Sequence, residues 1–405
     1  MIGCRFKTRG QRPIGLDIGH NSIKMVQLAI DDGHIKILSA DKAYIDPSIN
    51  GDAGQRKGFV VSAIEKMLTE GNFHGRKVVS CLPNERLKIT SLRLPETGPE
   101  QIEQVLRKEA AQRFGLDSDR NAIDYMLAGS VHQGDEVKNE VILFAVDNET
   151  IRDHIQMLEQ LQLKPVFIDT IPCALFRSFE RSLRRQQDRE NTAVFVDLGY
   201  QFTTVVFGRG GEISFIKQIP MGGENFNRQI AAKLGVSISE AHKLRNKLRL
   251  ENSREPEKDL PAHEQDSNEQ SGQTSASQQP QQQIDLDTST RQVIVDAISA
   301  VADQLAREIS LCFRYYTVTF RGKRVERAIF AGGEAYENIL LNVLRRHLTV
   351  EIEVAQPLKG FDMSSEKINF DGDRRSLLCE WAVAVGLSLK GWNPDMVPDN
   401  TGGDL

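Results

Sequence analysis

The chain has 405 residues, 40% apolar and 26% charged, which suits a globular protein with room for two cored domains. Its formal net charge of −5 gives no reason to expect bulk nucleic-acid binding, and no uninterrupted apolar run approaches the length of a bilayer span. Five scattered cysteines (Cys4, Cys81, Cys173, Cys312, Cys379) form no CxxC pair, which argues against a zinc site or disulfide framework and fits buried thiols in a reducing compartment.

Residues 1–13 read as a flexible basic tail, since Gly3, Gly10 and Pro13 break any amphipathic helix and Phe6 is the one bulky aromatic. No apolar segment follows the basic residues, so this is not a secretory signal. A strand, a tight polar turn and a second strand span 14–28, and Asp31-Asp32-Gly33 turns into a third strand at 34–43. Helical spacing follows at 51–70, a short strand at 78–82, and a helix at 95–114 with Ile102, Val105, Leu106 and Ala110 on one face. A strand at 142–146, a helix at 154–163 and a strand at 166–169 precede Pro172, which suits the first turn of a helix to about 184.

A second half opens with strand-like runs at 193–196, 203–207 and 212–219, turning at Gly199 and Gly210-Gly211, then helices at 224–234 and 239–250. Residues 251–288 are rich in Gln, Ser, Glu and Pro and cannot bury enough to order themselves, so a disordered insertion is expected. A long amphipathic helix at 290–314, a strand at 327–330, a helix at 335–347 and a last helix at 377–389 complete the pattern. The basic stretches at 5–12 and 243–249 read as a tail and a solvated helix face.

The strongest signal is internal. Gly15-Leu16-Asp17-Ile18-Gly19 and Phe195-Val196-Asp197-Leu198-Gly199 share one grammar: an apolar strand ending in Asp-x-Gly, small polar residues, a second strand, a glycine turn and a third strand. Two copies half a chain apart imply a duplicated domain. Glycine would let each hairpin adopt positive φ and bring amides to an anion. Ser22, Thr203 and Thr204 offer hydroxyls and Lys24 a point charge for phosphate, while Asp17 and Asp197 suit water-mediated contact with a magnesium ion. Strand, Gly332-Gly333 and helix make a third site, where a base or ribose could approach a helix N-terminus beside Glu334.

In that order the blocks resemble the superfamily of actin, the heat-shock chaperone ATPases and the sugar kinases: an α/β, ribonuclease H-like fold duplicated into two lobes around a nucleotide cleft. Phosphate loop one would be Asp17, Gly19, His20, Asn21, Ser22 and Lys24, loop two Asp197, Gly199, Thr203 and Thr204, and the adenosine motif Gly332-Gly333. Connecting helices would lie near 172–176 and 382–389, where Ala384 and Gly386 permit close packing.

Within that superfamily the chain is similar to the PilM family of type IV pilus assembly, itself related to the division protein FtsA. Residues 15–24, Ile219-Pro220-Met221-Gly222-Gly223, the helix carrying His242 and Arg245, and Leu92-Arg93-Leu94-Pro95 before the helix at 101–112 carry that likeness. It implies lobe I at 14–185 with an inserted subdomain at about 77–150, lobe II at 186–390, and a flexible tail at 391–405.

The resemblance further implies a cytoplasmic scaffold that binds ATP and Mg2+, peripheral at the inner membrane. It would hold the short cytoplasmic tail of a PilN-like membrane protein in a groove around 89–114. The pilus platform and motor ATPases would be reached indirectly, with homo-oligomers compatible and no nucleic-acid partner. Departures stand at His242, where the family has a glutamate, at Arg245 for a lysine, and at Ile171 for a glutamate; Arg245, with Gly222 and Gly223, would still belong to the nucleotide site. An apolar Ile171 cannot orient water, so at most weak hydrolysis is expected. Two alternatives remain, a small-molecule kinase with Asp169 as base and a degenerate scaffold without nucleotide.

Overall fold

The structure, a computed structural model, describes residues 10–31, 34–95, 99–117, 119–133, 136–180, 192–209, 211–252, 286–320, 325–364, 368–370 and 378–391. The chain opens with β1 (Gln11–Ile18), β2 (Ser22–Asp31) and β3 (His34–Tyr44), an antiparallel meander. Helix α1 (Ala53–Glu70) begins where the Asp52 carboxylate accepts from the amides of Gly54 and Gln55, one of the stabilising caps of an exposed N-terminus. Strand β4 (Lys77–Cys81) then enters parallel to β1.

An excursion follows: β5 (Lys88–Pro95), α2 (Pro99–Phe114), β6 (Asn121–Gln133) and β7 (Glu136–Asp147), whose strands form their own sheet in the order β5-β7-β6. Helix α3 (Asn148–Gln160) and strand β8 (Lys164–Asp169) return the chain to the first sheet, and α4 (Ile171–Glu180) leaves it. That sheet has the order β3-β2-β1-β4-β8.

The second half repeats the first. Strands β9 (Thr192–Leu198), β10 (Thr203–Arg209) and β11 (Glu212–Ile219) form the meander, followed by α5 (Gly223–Leu234), α6 (Ile238–Asn252) and α7 (Thr288–Thr319). Strands β12 (Val325–Ala331) and β13 (Glu351–Val354), with α8 (Asn338–His347) between them, complete a sheet in the order β11-β10-β9-β12-β13. Three antiparallel neighbours followed by two parallel ones is the same plan as before. The repeated Asp-x-Gly therefore marks a repeated sheet.

Helix α9 (Ala382–Ser388) crosses back onto the first half. A Cβ on Gly386 would overlap the carbonyl of Ala174 in α4, and one on Gly15 would overlap the carbonyl of Ala384. Bare backbone is what lets α4, α9 and β1 meet, as the small residues at 384 and 386 predict. The second half has the larger core, with Phe195, Phe207, Phe226, Tyr316 and Phe330 buried together, while Trp381 seals Val26, Leu28 and Ile37 in the first.

Several expectations need correction. Strand β1 starts at Gln11, inside the segment expected to be tail, and Gln11 pairs with Ala29; residues 1–9 lie outside the described residues. Strand β4, assigned to the inserted subdomain, belongs to the first sheet. Strand β6 was not foreseen because its apolar residues are scattered and Leu127 is exposed. The helix expected at 335–347 is broken by an extended Glu337 after a 3-10 turn at Gly333–Tyr336.

The last helix is also shorter than expected, starting after a left-handed Leu378 and a 3-10 turn at Cys379–Trp381. Helix α6 runs to Asn252 and α7 begins at Thr288, so both trim the proposed insertion; residues 253–285 lie outside the described residues. So do Asp32-Gly33, Gly210, Cys4 and the tail from 392. Cys81, Cys312 and Cys379 are buried free thiols and Cys173 is partly buried.

Candidate functional site in the cleft between the sheets

The C-terminal ends of β1 and β9 face each other across a cavity of about 770 Å³, well within the size range of small-molecule sites. Each strand ends in the same turn. The Gly19 amide donates to the Ser22 carbonyl at 3.0 Å, and the Gly199 amide donates to the Phe202 carbonyl at 3.0 Å. Neither glycine has positive φ, contrary to expectation. They are required by close approach, since a Cβ would sit 2.9 Å from the Ser22 oxygen and 2.8 Å from the Phe202 oxygen. The one glycine here in the left-handed region is Gly332, at φ +93°, where a Cβ would lie 2.6 Å from Asp197 Oδ1.

Strand register extends each acid into a row. Asp17 pairs with Lys24 and Lys24 with Lys42 across β1, β2 and β3. In the second half the equivalent row is Asp197, Thr204 and Gln218. The first row is charged: Lys24 Nζ lies 3.7 Å from Asp17 Oδ2 and donates to Ser22 Oγ at 2.9 Å, and Lys42 Nζ lies 2.6 Å from Glu380 Oε2. Beyond Asp197 the second row is uncharged and held by Asn84, which donates to Thr204 Oγ1 at 3.3 Å and accepts from Gln218 at 2.9 Å.

Burial raises the carboxyl of Asp17 despite Lys24. Burial and the charge of Asp17 together push Asp197 up to about 7. Two acids from opposite lobes thus strain against each other, the condition a divalent cation relieves. Among the described residues no three His, Cys, Asp or Glu side chains group to hold a metal directly.

Of the expected residues, Asp17, Gly19, His20, Asn21, Ser22, Lys24, Asp197, Gly199, Gly332, Gly333 and Glu334 line the cavity. Thr203, Thr204, Gly222, Gly223 and Arg245 do not. The Thr203 hydroxyl donates to the Met221 carbonyl at 2.8 Å, and Thr204 is held by Asn84. Gly222 and Gly223 brace the second turn from behind: the Gly223 amide donates to the Gly199 carbonyl at 3.1 Å, and a Cβ on Gly223 would overlap the Glu334 carboxylate.

Arg245 is 1% exposed, bonded to Glu334 at 2.6 Å and Glu337 at 3.2 Å, and Arg249 shares both carboxylates at 2.5 and 2.9 Å. Burial works against the Glu334 charge, but the two guanidinium groups outweigh it and hold its carboxyl below the usual range. Of the face at 243–249 expected to be solvated, Arg245 and Arg249 therefore turn inward, because two buried carboxylates need partners, while Lys243 stays exposed.

His20 is a turn residue, as its isolation suggests, and it also stacks on Tyr200 of the opposite turn at 5.6 Å and 7°. Arg56 braces that turn by donating to the carbonyls of Gly19 and His20, each at 2.9 Å. Ile171 does line the cavity. Asp169, the acid considered for phosphotransfer, is not among the lining residues and is bound to Arg177 at 2.8 Å and Lys390 at 3.4 Å. The residue capping α4 is Thr170, through Cys173, rather than Asp169. Lys42, Tyr200, Arg249 and Glu380 line the cavity without having been foreseen. Register alone would have found Lys42 opposite Lys24; Glu380 has no local signal.

Residues 15–260 match the profile of the family described as type IV pilus assembly protein PilM. The chain belongs to the PilM family. Residues 194–369 also match the cell division protein FtsA. Among solved structures the chain is similar to one titled a PilM-PilN type IV pilus biogenesis complex, at 18% identity and a TM-score of 0.70, covering 95% of this chain and 99% of that one. It is also similar to the ethanolamine utilization protein EutJ from Carboxydothermus hydrogenoformans, at 12% identity and a TM-score of 0.50, covering 94% and 90%. These likenesses place this PilM-family chain in the actin-like fold. No helix among its described residues is long and apolar enough to cross a membrane.

Proposed function

We propose that this PilM-family chain is a nucleotide-dependent scaffold, taking ATP with Mg2+ between its lobes and the cytoplasmic tail of a PilN-like inner-membrane protein at its inserted subdomain. The observation that carries the reading is the meeting of Asp17 and Asp197, each at the end of a duplicated strand, beside the buried Lys24. The fit to the cofactor rests on chemistry. Ionised Asp17 and Asp197 suit the water shell of Mg2+, which usually keeps several waters, and Lys24 supplies a donor to phosphate. Gly333, where a Cβ would meet nothing within 4 Å, leaves room for a nucleoside in the cavity that His242 also lines. Burial lowers the His242 pKa and Asn227 and Asn246 flank its ring, so the sugar would meet neutral groups.

The bound cation and phosphates would relieve the repulsion between the two lobes' acids, which biases the lobes toward closure. A tail would lie along the groove bounded by β5 and α2. Ile171 offers no hydrogen bond to an attacking water, so turnover is slow and ATP acts as a positional signal, with the pilus platform and motor ATPases reached through the partner. Titration calorimetry with ATP and Mg2+ tests the reading. Lys24→Ala or Asp197→Ala should weaken binding by roughly ten- to a hundredfold, as expected for loss of a charged hydrogen bond, with the thermal midpoint retained in Asp197→Ala and lowered in Lys24→Ala, where Asp17 loses its buried partner. Unchanged affinity in both variants overturns it.

A further inference from the structure

We infer that Lys42 is a second phosphate-binding cation that makes the site favour nucleoside triphosphates over diphosphates, and that Glu380 is the residue positioning it. This rests on the nucleotide reading above. Lys42 and Lys24 are register partners on adjacent strands, so their side chains leave the same face of the sheet. Both line the cavity, and their side chains are only 4% and 8% exposed. Two buried ammonium groups a strand apart, about 4.8 Å between backbones, repel one another unless anions sit between them.

Glu380 is the anion present. Its Oε2 lies 2.6 Å from Lys42 Nζ and 4.0 Å from Lys24 Nζ, one carboxylate for two amines. Asp17 shares Lys24 while Lys42 also donates to Tyr44 Oη at 2.7 Å.

The strand register orders the amines relative to the nucleoside site. Gly332 lies against Asp197, Asp197 and Asp17 line the same cavity, and Asp17 is followed by Lys24 and then Lys42 across the sheet. A nucleoside at Gly332-Gly333 therefore extends its phosphates toward Lys24, and Lys42 stands farthest out, where only a third phosphate reaches. An ammonium has three donors, so Lys42 can keep its bond to Glu380 while exchanging the one to Tyr44 Oη for that phosphate.

Glu380 is fixed for the task. The Cys379 carbonyl accepts from the Gly332 amide at 3.1 Å on one side, and Trp381, 1% exposed, is locked in the first-half core on the other. The matching row of the second half ends in neutral Gln218 bonded to Asn84, so the charge at this position is particular to the lobe that carries Lys24.

Calorimetry with Mg–ATP and Mg–ADP on the full chain decides the matter. Lys42→Met alone would leave Glu380 with only Lys24, 4.0 Å away, so the comparison is Glu380→Gln against the double variant Lys42→Met with Glu380→Gln. The first, by loosening Lys42, should lower the preference for ATP over ADP part-way. The second should lose about tenfold or more in ATP affinity, the scale of one charged hydrogen bond, with ADP affinity changed less than about twofold. An ATP-to-ADP ratio equal in the two variants overturns the role of Lys42. A parent protein that binds neither nucleotide overturns the nucleotide reading, and this one with it. A Glu380→Gln variant with unchanged affinity for both nucleotides and an unchanged salt dependence removes the positioning role of Glu380 alone.

Discussion

His154 illustrates how one buried side chain sets a pH limit on the molecule. It lies on α3 at 8% exposure, its Nε2 is 2.7 Å from Ser80 Oγ, and burial pushes its pKa down to about 4. The unfolded chain, with histidine near its ordinary value of 6.5, binds the proton more readily. Stability is therefore full above about 6.5 and falls as pH drops toward 4. The span corresponds to on the order of 3 kcal/mol. Urea unfolding of His154→Gln should show a flatter pH dependence over that window than the parent. At Gly332 a side chain would meet both a left-handed φ and the Asp197 carboxylate. Gly332→Ala should abolish nucleotide binding in calorimetry while costing roughly 1–2 kcal/mol in stability.

The residues carrying the two turns were legible because Asp-x-Gly is a local pattern, set by backbone sterics within a few positions. Arg245 was not, since its burial depends on Glu334 and Glu337 nearly ninety residues later.

At the scale of elements, the contact between α4 and α9 depends on the absence of side chains. Gly386→Ala should force the helices apart and cost about 1–3 kcal/mol, as overpacking of a tight contact does, read as a lower denaturant midpoint with an unchanged slope. The element pattern was readable where a segment has one buried face, as in α5, or a short apolar run bounded by turns, as in β11, found at the bounds expected. It failed where the face is mixed. Strand β6 exposes Leu127, and the expected helix beginning at Ala335 gives way at Glu337, whose side chain serves the arginines instead of the helix ladder. Propensity could not foresee those tertiary demands.

Over the whole molecule, the doubled sheet order was readable from the repeat, whereas the way the halves grip each other was not. Asn84, leaving β4 in the first half, bridges Thr204 and Gln218 in the second, and His20 stacks on Tyr200 nearby. Asn84→Ala removes two hydrogen bonds at roughly 1 kcal/mol each. It should lower the thermal midpoint by a few degrees and speed release of a fluorescent ATP analogue in stopped flow, with each lobe's own amide protection unchanged.

The two register rows show what became of a copied unit. In one copy the outermost position is an ammonium that reaches for cargo; in the other it is an amide that clasps its sibling. Because the duties sit on different copies, position 42 can drift to retune what is held while position 218 drifts to retune how stiffly the jaws meet, and neither adjustment spoils the other.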